Sequence, residues 1–459
     1  MPASQHPVPS LNTTGPEPVS FGQAALFWAR LGWVSFGGPA GQIALLQQEL
    51  VVQRRWLSEG RFLHALSYCM LLPGPEATQL ATYLGWLMHG AAGGLLAGVL
   101  FLAPSVLVLT GLATLYALWG QLPLLSAVFA VLKPVVLAVV LVAAWRLGRR
   151  TLHTTLQRAL ALGAFAALTL FNMPYPWVLA LAALAGGVAA KLRPKALQGL
   201  PGAQATPEAT PAPAALAPAY LHGDATPTPA HAVVNSRRLA LTVLAWGSAT
   251  LLPLAALSHW GGWDSTLALM ARFFSRVALL SFGGAYAVLP YVAQGAVEQF
   301  GWLSASQMLD GLALGETTPG PLIMVVAFVG FMGGWSSPLL QGPGSWHAAA
   351  AATLVTVWFS FVPSFALILA GAPLVEASRN DLRLGAPLRA ISCAVVGVIV
   401  SLAVLLARPV LWPAGQVSLG GAVVLVVALW AQLRARWGVL PLIGAAAAAG
   451  AVLAIVQLA

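Results

Sequence analysis

Apolar residues run along the chain in long blocks separated by short polar or basic joints. The blocks cover approximately residues 21–50, 60–89, 92–119, 122–146, 157–172, 174–190, 238–258, 265–298, 304–334, 347–371, 388–407, 417–433 and 438–457. A helix needs about 20 apolar residues to cross a bilayer core, so the pattern predicts an all-α polytopic membrane protein. The interval between the sixth and seventh blocks is rich in Pro, Ala and Thr and reads as a linker. This divides the chain into a disordered leader (1–20), a first repeat (21–190), a flexible cytoplasmic linker (191–236), an extra transmembrane helix (237–258) and a second repeat (259–459).

The two long segments are related by subtraction. Ser35 maps onto Ser281, Trp56 onto Trp302, and Pro73-Gly74-Pro75 onto Pro319-Gly320-Pro321, each pair 246 residues apart. Farther along, Pro104-Ser105 maps onto Pro363-Ser364 at an offset of 259, so the second copy has gained 13 residues between these points. A register kept across such a length indicates internal duplication. Seven blocks lie between equivalent points because block 238–258 has no partner in the first copy. An odd number of crossings places equivalent points on opposite faces, giving two inverted-topology repeats, an architecture of secondary transporters.

Composition agrees with a membrane chain. Charged residues make up 7% of the 459 positions, against about a quarter in soluble domains, and the mean hydropathy is +0.83. The net charge of +10 sits in short joints, which is a topogenic pattern and not a nucleic-acid-binding face. Arg146, Arg149, Arg150, Lys191, Arg193, Lys195, Arg237, Arg238, Arg379, Arg383, Arg434 and Arg436 mark the N-terminal side as cytoplasmic. The C-terminus is then periplasmic. Arg54, Arg55 and Arg61 fit this assignment if blocks 21–50 and 60–89 turn back as re-entrant hairpins, and conflict with it if each block crosses once. Cys69 and Cys393, far apart within apolar runs, read as small buried hydrophobes.

The breaks carry the candidate chemistry. "SFGGPAG" sets Gly37 and Gly38 ahead of Pro39, "SFGGAYAV" repeats the pattern at Gly283 and Gly284, and "LLPGPEATQ" and "TTPGPLI" place Gly74 and Gly320 between prolines. Each break exposes N–H groups at the start of a half-helix, and in hydrocarbon such groups persist where they line a cavity. The same ends attract anions. The candidate substrate-binding residues are Arg30, Ser35, Gly37, Gly38, Gly74, Glu76, Lys133, Arg276, Ser281, Gly283, Gly284, Glu316, Thr317, Thr318 and Gly320. Arg30 and Arg276 precede their serines by five residues and Lys133 lies inside a block; a charge at the bilayer centre costs roughly 2.5–3.5 kcal/mol, so these side chains face a cavity, a partner or the interface. Glu76 and Glu316 hold either a proton or an arginine partner, whereas Glu49, Glu298, His64 and Asp310 lie nearer segment ends, where a solvated role is expected. No HExxH, CxxC pair, Walker loop or GxSxG occurs, so ATP hydrolysis, a metal site and familiar hydrolase chemistry have no support, and no cofactor is expected.

The duplicated FGG and PGP motifs, with "RRWLSEGRF" and "FGWLSASQMLDGLALGETTPGP" between them, resemble the chromate transporter (CHR) family in its long form of two fused homologous halves. The resemblance covers nearly all of the chain from Phe21 onward except the linker. It implies an inner-membrane protein exporting chromate from the cytoplasm and conferring resistance, with energy from the proton motive force. Chromate or a related oxyanion is then the partner, with protons, membrane lipids and a homodimer compatible. A carrier for sulfate or another oxyanion, and a membrane-embedded enzyme acting on a lipid phosphate, are the competing readings.

Overall fold

A computed structural model describes residues 18–192, 221–223, 226, 229–233, 235–282, 284–337, 344–377 and 385–458. These residues form sixteen α-helices and no strand. Six helices are long and apolar enough to cross a membrane: Glu76–Trp119, Pro123–Thr151, Ser236–Gly261, Trp346–Glu376, Arg389–Leu411 and Val439–Val456. Leader residues 1–17, most of the linker, Gly283, Arg193, Lys195, Arg379 and Arg383 lie outside the described residues.

Several apolar blocks turn out to be two helices. Residues 21–50 give α1 (Phe21–Val34) and α2 (Gly38–Gln47), and residues 60–89 give α3 (Glu59–Cys69) and the first part of α4 (Glu76–Trp119). His89 and Gly90 leave helical geometry inside α4, so its first thirteen residues are a separate arm. Past α5 (Pro123–Thr151), α6 (Thr155–Thr169) and α7 (Tyr175–Leu192), α8 (Ser236–Gly261) covers the extra block, and the broken pattern returns. It comprises α9 (Thr266–Leu279), α10 (Ala285–Ala293), α11 (Ala305–Thr317) and α12 (Val325–Ser336), followed by α13 (Trp346–Ala377), α14 (Gly385–Leu411), α15 (Leu419–Leu433) and α16 (Val439–Leu458).

Local details recur at the same offset. A π-helical turn over Gln48–Gln53 reappears at Gln294–Gln299, and the N-cap serines Ser58 and Ser304 are likewise 246 apart. Single π turns are rare insertions in α-helices, so their recurrence in register is specific.

Helices of the two halves interleave. α14 packs against α5, α6 and α7, while α5 packs against α14, α15 and α16. One apolar core holds α1 to α4 together with Ile368, Leu369, Ala372 and Val375 of α13, and the other joins α9 to α12 with α5, α7 and α14. α8 contributes no buried residue but packs along α13 and α9, with Trp358 Nε1 donating to Ala249 O at 2.9 Å.

The described residues of the linker contact the first half. His222 N donates to Trp56 O at 3.0 Å, Ser58 N donates to His222 O at 3.1 Å, and Ala232 is buried. His231 Nε2 contacts Trp86 O at 2.9 Å, and His89 Nε2 contacts Val19 O at 2.9 Å. The chain entering α1, the joint before α3, the bend at His89-Gly90 and the linker therefore gather at one end of the first half.

Candidate functional site

The four breaks meet as two crossed pairs. Gly320 N of the second PGP donates to Ser35 O of the first FGG at 2.6 Å, and Gly74 N of the first PGP donates to Ser281 O of the second FGG at 2.8 Å. We call these contacts the first and second junctions. Each takes one break from each half, so the candidate residues converge where the halves cross.

Close packing fixes both junctions. Gly74 and Gly320 have φ of +135° and +105°, a region L side chains rarely enter. A Cβ on Gly74 would stand 2.2 Å from Ser364 Oγ, and one on Gly320 would stand 1.7 Å from Ser105 Oγ. Ser105 Oγ donates to Pro319 O, while Gln79 Nε2 donates to Pro73 O at 2.8 Å and to Ser364 Oγ at 3.1 Å. Ser105 and Ser364, known from the sequence only as register marks, thus hold the turns. Their signal was a Pro-Ser pair recurring at one offset.

Helix starts at the junctions stay open. α2, α4, α10 and the 3₁₀ turn before α12 follow Gly37, Pro75, Gly284 and Pro321, and none has a side-chain cap. Free N–H groups and the positive end of each helix dipole attract negative charge. Ser35 and Ser281 are 0% and 1% exposed, and their hydroxyls have no partner among the described residues. Buried polar atoms without partners are rare, so two at equivalent positions mark a place built for something else.

The remaining candidates divide. Tyr286 OH donates to Glu316 at 2.5 Å, and Glu76, 9% exposed, has an oxygen 3.8 Å from where a Cβ of Gly284 would stand. Glu76 therefore adjoins the second junction, and Glu316, four residues before Gly320, reaches α10 through Tyr286. Thr317 and Thr318 turn their hydroxyls onto Leu314 O and Gly315 O at 2.8 and 2.9 Å, within their own turn. Arg30 is exposed and lines a cavity of about 430 Å³ with Arg54 and Trp56. Arg276 is also exposed.

Lys133 finds an acid. Its Nζ lies 3.5 Å from Asp310 Oδ2, which also accepts from Tyr116 OH at 2.8 Å. Asp310 is 2% exposed, correcting the solvated role expected near a segment end, because packing of α11 on α4 and α5 closes over it. A second buried pair was not foreseen: Arg61 Nη2 lies 2.5 Å from Glu376 Oε2, and Tyr83 OH donates to the same carboxylate. Arg61 also donates to Gly223 O and Thr226 Oγ1 of the linker at 3.3 and 3.1 Å. Both pairs tie the first half to the second. Among the described residues no group of three metal-ligating side chains occurs.

Comparison with known proteins follows this geometry. A chromate transport protein of Pseudomonas aeruginosa is 32% identical over 388 residues, covering 84% of this chain and 80% of its own. A probable chromate transport protein of Synechococcus elongatus is 27% identical over 85% of both chains. A chromate transport protein of Cupriavidus metallidurans is 28% identical over 74% of this chain and 73% of its own. No solved structure matches. The chromate transporter family model matches residues 22–187 and again 268–451, which takes in both junctions and leaves out the linker and α8, and the chain belongs to that family.

Proposed function

We propose that this chain is a secondary transporter that carries chromate out of the cytoplasm across the inner membrane and thereby confers chromate resistance. The observation that carries the reading is the pair of crossed junctions, where uncapped helix starts surround the unpartnered Ser35 and Ser281 hydroxyls. N–H donors and hydroxyls suit a tetrahedral oxyanion through charge-assisted hydrogen bonds. The relatives' names point to the same substrate.

In this reading the two halves are inverted repeats and the paired arms are re-entrant hairpins. Support comes from the meeting of Val19, the Arg55–Ser58 joint, His89 and linker residue His222 at one end, which is then cytoplasmic with Arg54, Arg55 and Arg61. The C-terminus is periplasmic. Energetics favour export: an inside-negative potential assists a leaving dianion by about 4.6 kcal/mol per 100 mV, twice the single-charge value. Proton motive force adds to this drive if Glu76 or Glu316 carries a proton.

The test is uptake of radiolabelled chromate into inverted vesicles under an inside-positive potential, with and without excess sulfate. Accumulation that resists sulfate is expected. Absence of accumulation, also with a pH gradient, overturns the assignment, and complete competition by sulfate moves it to a general oxyanion carrier.

A further inference from the structure

The two junctions are equivalent in sequence but differ in charge. Gly284 of the second corresponds to Gly38 of the first, 246 residues earlier, and both have positive φ, +92° and +68°. In front of Gly284 stands a carboxylate: the one atom near a Cβ built there is Glu76 Oε1, at 3.8 Å. In front of Gly38 a Cβ would meet nothing within 4 Å. Position 322, the counterpart of Glu76, is leucine, and position 70, the counterpart of Glu316, is methionine. The same turn therefore faces an oxyanion of the protein's own at one junction and open space at the other.

Other groups follow this division. Glu76 is also the first residue of α4, where its charge complements the free N–H groups of that helix. The first junction has instead Gln42, 0% exposed, at the position of Val288. Its Nε2 lies 3.5 Å from Ser35 O, at the edge of hydrogen bonding, and its Oε1 has no partner among the described residues. An amide so weakly engaged can turn its N–H groups to an anion. Ser35 Oγ, buried and unpartnered beside it, supplies another donor.

Resting on the anion-transport reading, we infer that the transported oxyanion binds at the first junction, in the space before Gly38, and that Glu76 excludes it from the second. The Glu76 carboxylate is the internal stand-in for the substrate: an oxygen-bearing anion held against the same glycine turn and beside an uncapped helix start. Selectivity for position therefore rests on the absence of acid at residue 322, not on a set of donors special to one junction.

The experiment is equilibrium binding of radiolabelled chromate to the purified full-length chain, with Leu322→Glu compared against Leu322→Gln. These two differ in charge but hardly in shape, and position 322 follows the second PGP as Glu76 follows the first. Leu322→Gln is expected to bind as wild type within about threefold, and Leu322→Glu to lose more than about tenfold, since like charges at a site cost several kcal/mol. Equal binding by the two overturns the inference. Should neither variant fold, Gly38→Leu and Gly284→Leu decide, because both carry a side chain at a positive φ: loss confined to Gly38→Leu supports the first junction, and loss confined to Gly284→Leu or equal in both overturns it. A wild-type chain that binds neither chromate nor sulfate refutes the transport reading itself, and this inference with it.

Discussion

Helices that begin at the rim and helices that begin at the centre are started differently. α1, α3, α9 and α11 open on Ser20, Ser58, Ser265 and Ser304, and each hydroxyl accepts a backbone N–H three residues on. α2, α4, α10 and the turn leading into α12 open on Gly37, Pro75, Gly284 and Pro321, which offer no side-chain acceptor. A cap satisfies one of the orphan donors at a helix start. The fold places serine where a start must be self-sufficient, and glycine or proline where donors are left for something else. Serine is not scarce at the centre: Ser35 and Ser281 lie within three residues of the glycine starts, with hydroxyls that cap nothing.

Substitutions sharpen this contrast, and the largest effect is expected where the centre is tightest. Gly320→Ala puts a Cβ 1.7 Å from Ser105 Oγ at a φ of +105°, so the crossed contact to Ser35 O cannot form as it stands. Loss of most monodisperse protein after detergent extraction is expected, with partial recovery on adding Ser105→Ala. Gly22→Ala on α1, where nothing lies within 4 Å, is expected to extract normally; equal yields for Gly320→Ala and Gly22→Ala would show that the junction is loose.

Next comes the buried charge at the rim. Arg61 and Glu376 side chains are each 2% exposed, and Arg61→Ala leaves a buried carboxylate without its guanidinium partner. Removing one partner of such a pair costs roughly 3–5 kcal/mol, read as a large fall in thermal stability. Arg54→Ala breaks a pair whose arginine is 39% exposed and is expected to cost at most about 1 kcal/mol. Comparable losses in the two variants would contradict the burial. A smaller effect belongs to Ser304→Ala, which removes the reciprocal cap formed with Gln307: about 1 kcal/mol, with chromate flux per folded molecule unchanged. A drop in flux there would mean that the rim caps take part in transport.

Much of this organisation was legible in the primary structure, for definite reasons. Gly37-Gly38 and Pro73-Gly74-Pro75 interrupt apolar runs where an unbroken helix costs least, and they do so twice at one offset, so the breaks and the halves were visible. Which break meets which was not, because the Gly320 to Ser35 contact joins residues almost 300 positions apart and depends on how the halves interleave. The approach of Glu76 to Gly284 stayed hidden for the same reason, as did the Asp310 partner of Lys133. Arg30 and Arg276 drew attention as charges in apolar runs, and both are exposed. Spacing along a helix gives the face, and only packing tells which face looks inward.

The smallest effect on stability is expected at Ser35. Its hydroxyl is fully buried and has no partner among the described residues, so it carries a desolvation cost of about 1–3 kcal/mol that no bond in the protein returns. Ser35→Ala removes that cost and leaves the Ser35 carbonyl to accept from Gly320 N as before. Thermal stability equal to or above wild type is expected, together with reduced chromate flux, because an oxyanion before Gly38 loses a donor. The opposite behaviour of Ser304→Ala, destabilised with flux intact, makes the two serines a matched pair: one hydroxyl serves the helix behind it and the other serves the substrate. If Ser35→Ala lowered stability as Ser304→Ala does, the hydroxyl would have a structural partner, and the distinction between capped rim and open centre would fail at the residue that expresses it most directly.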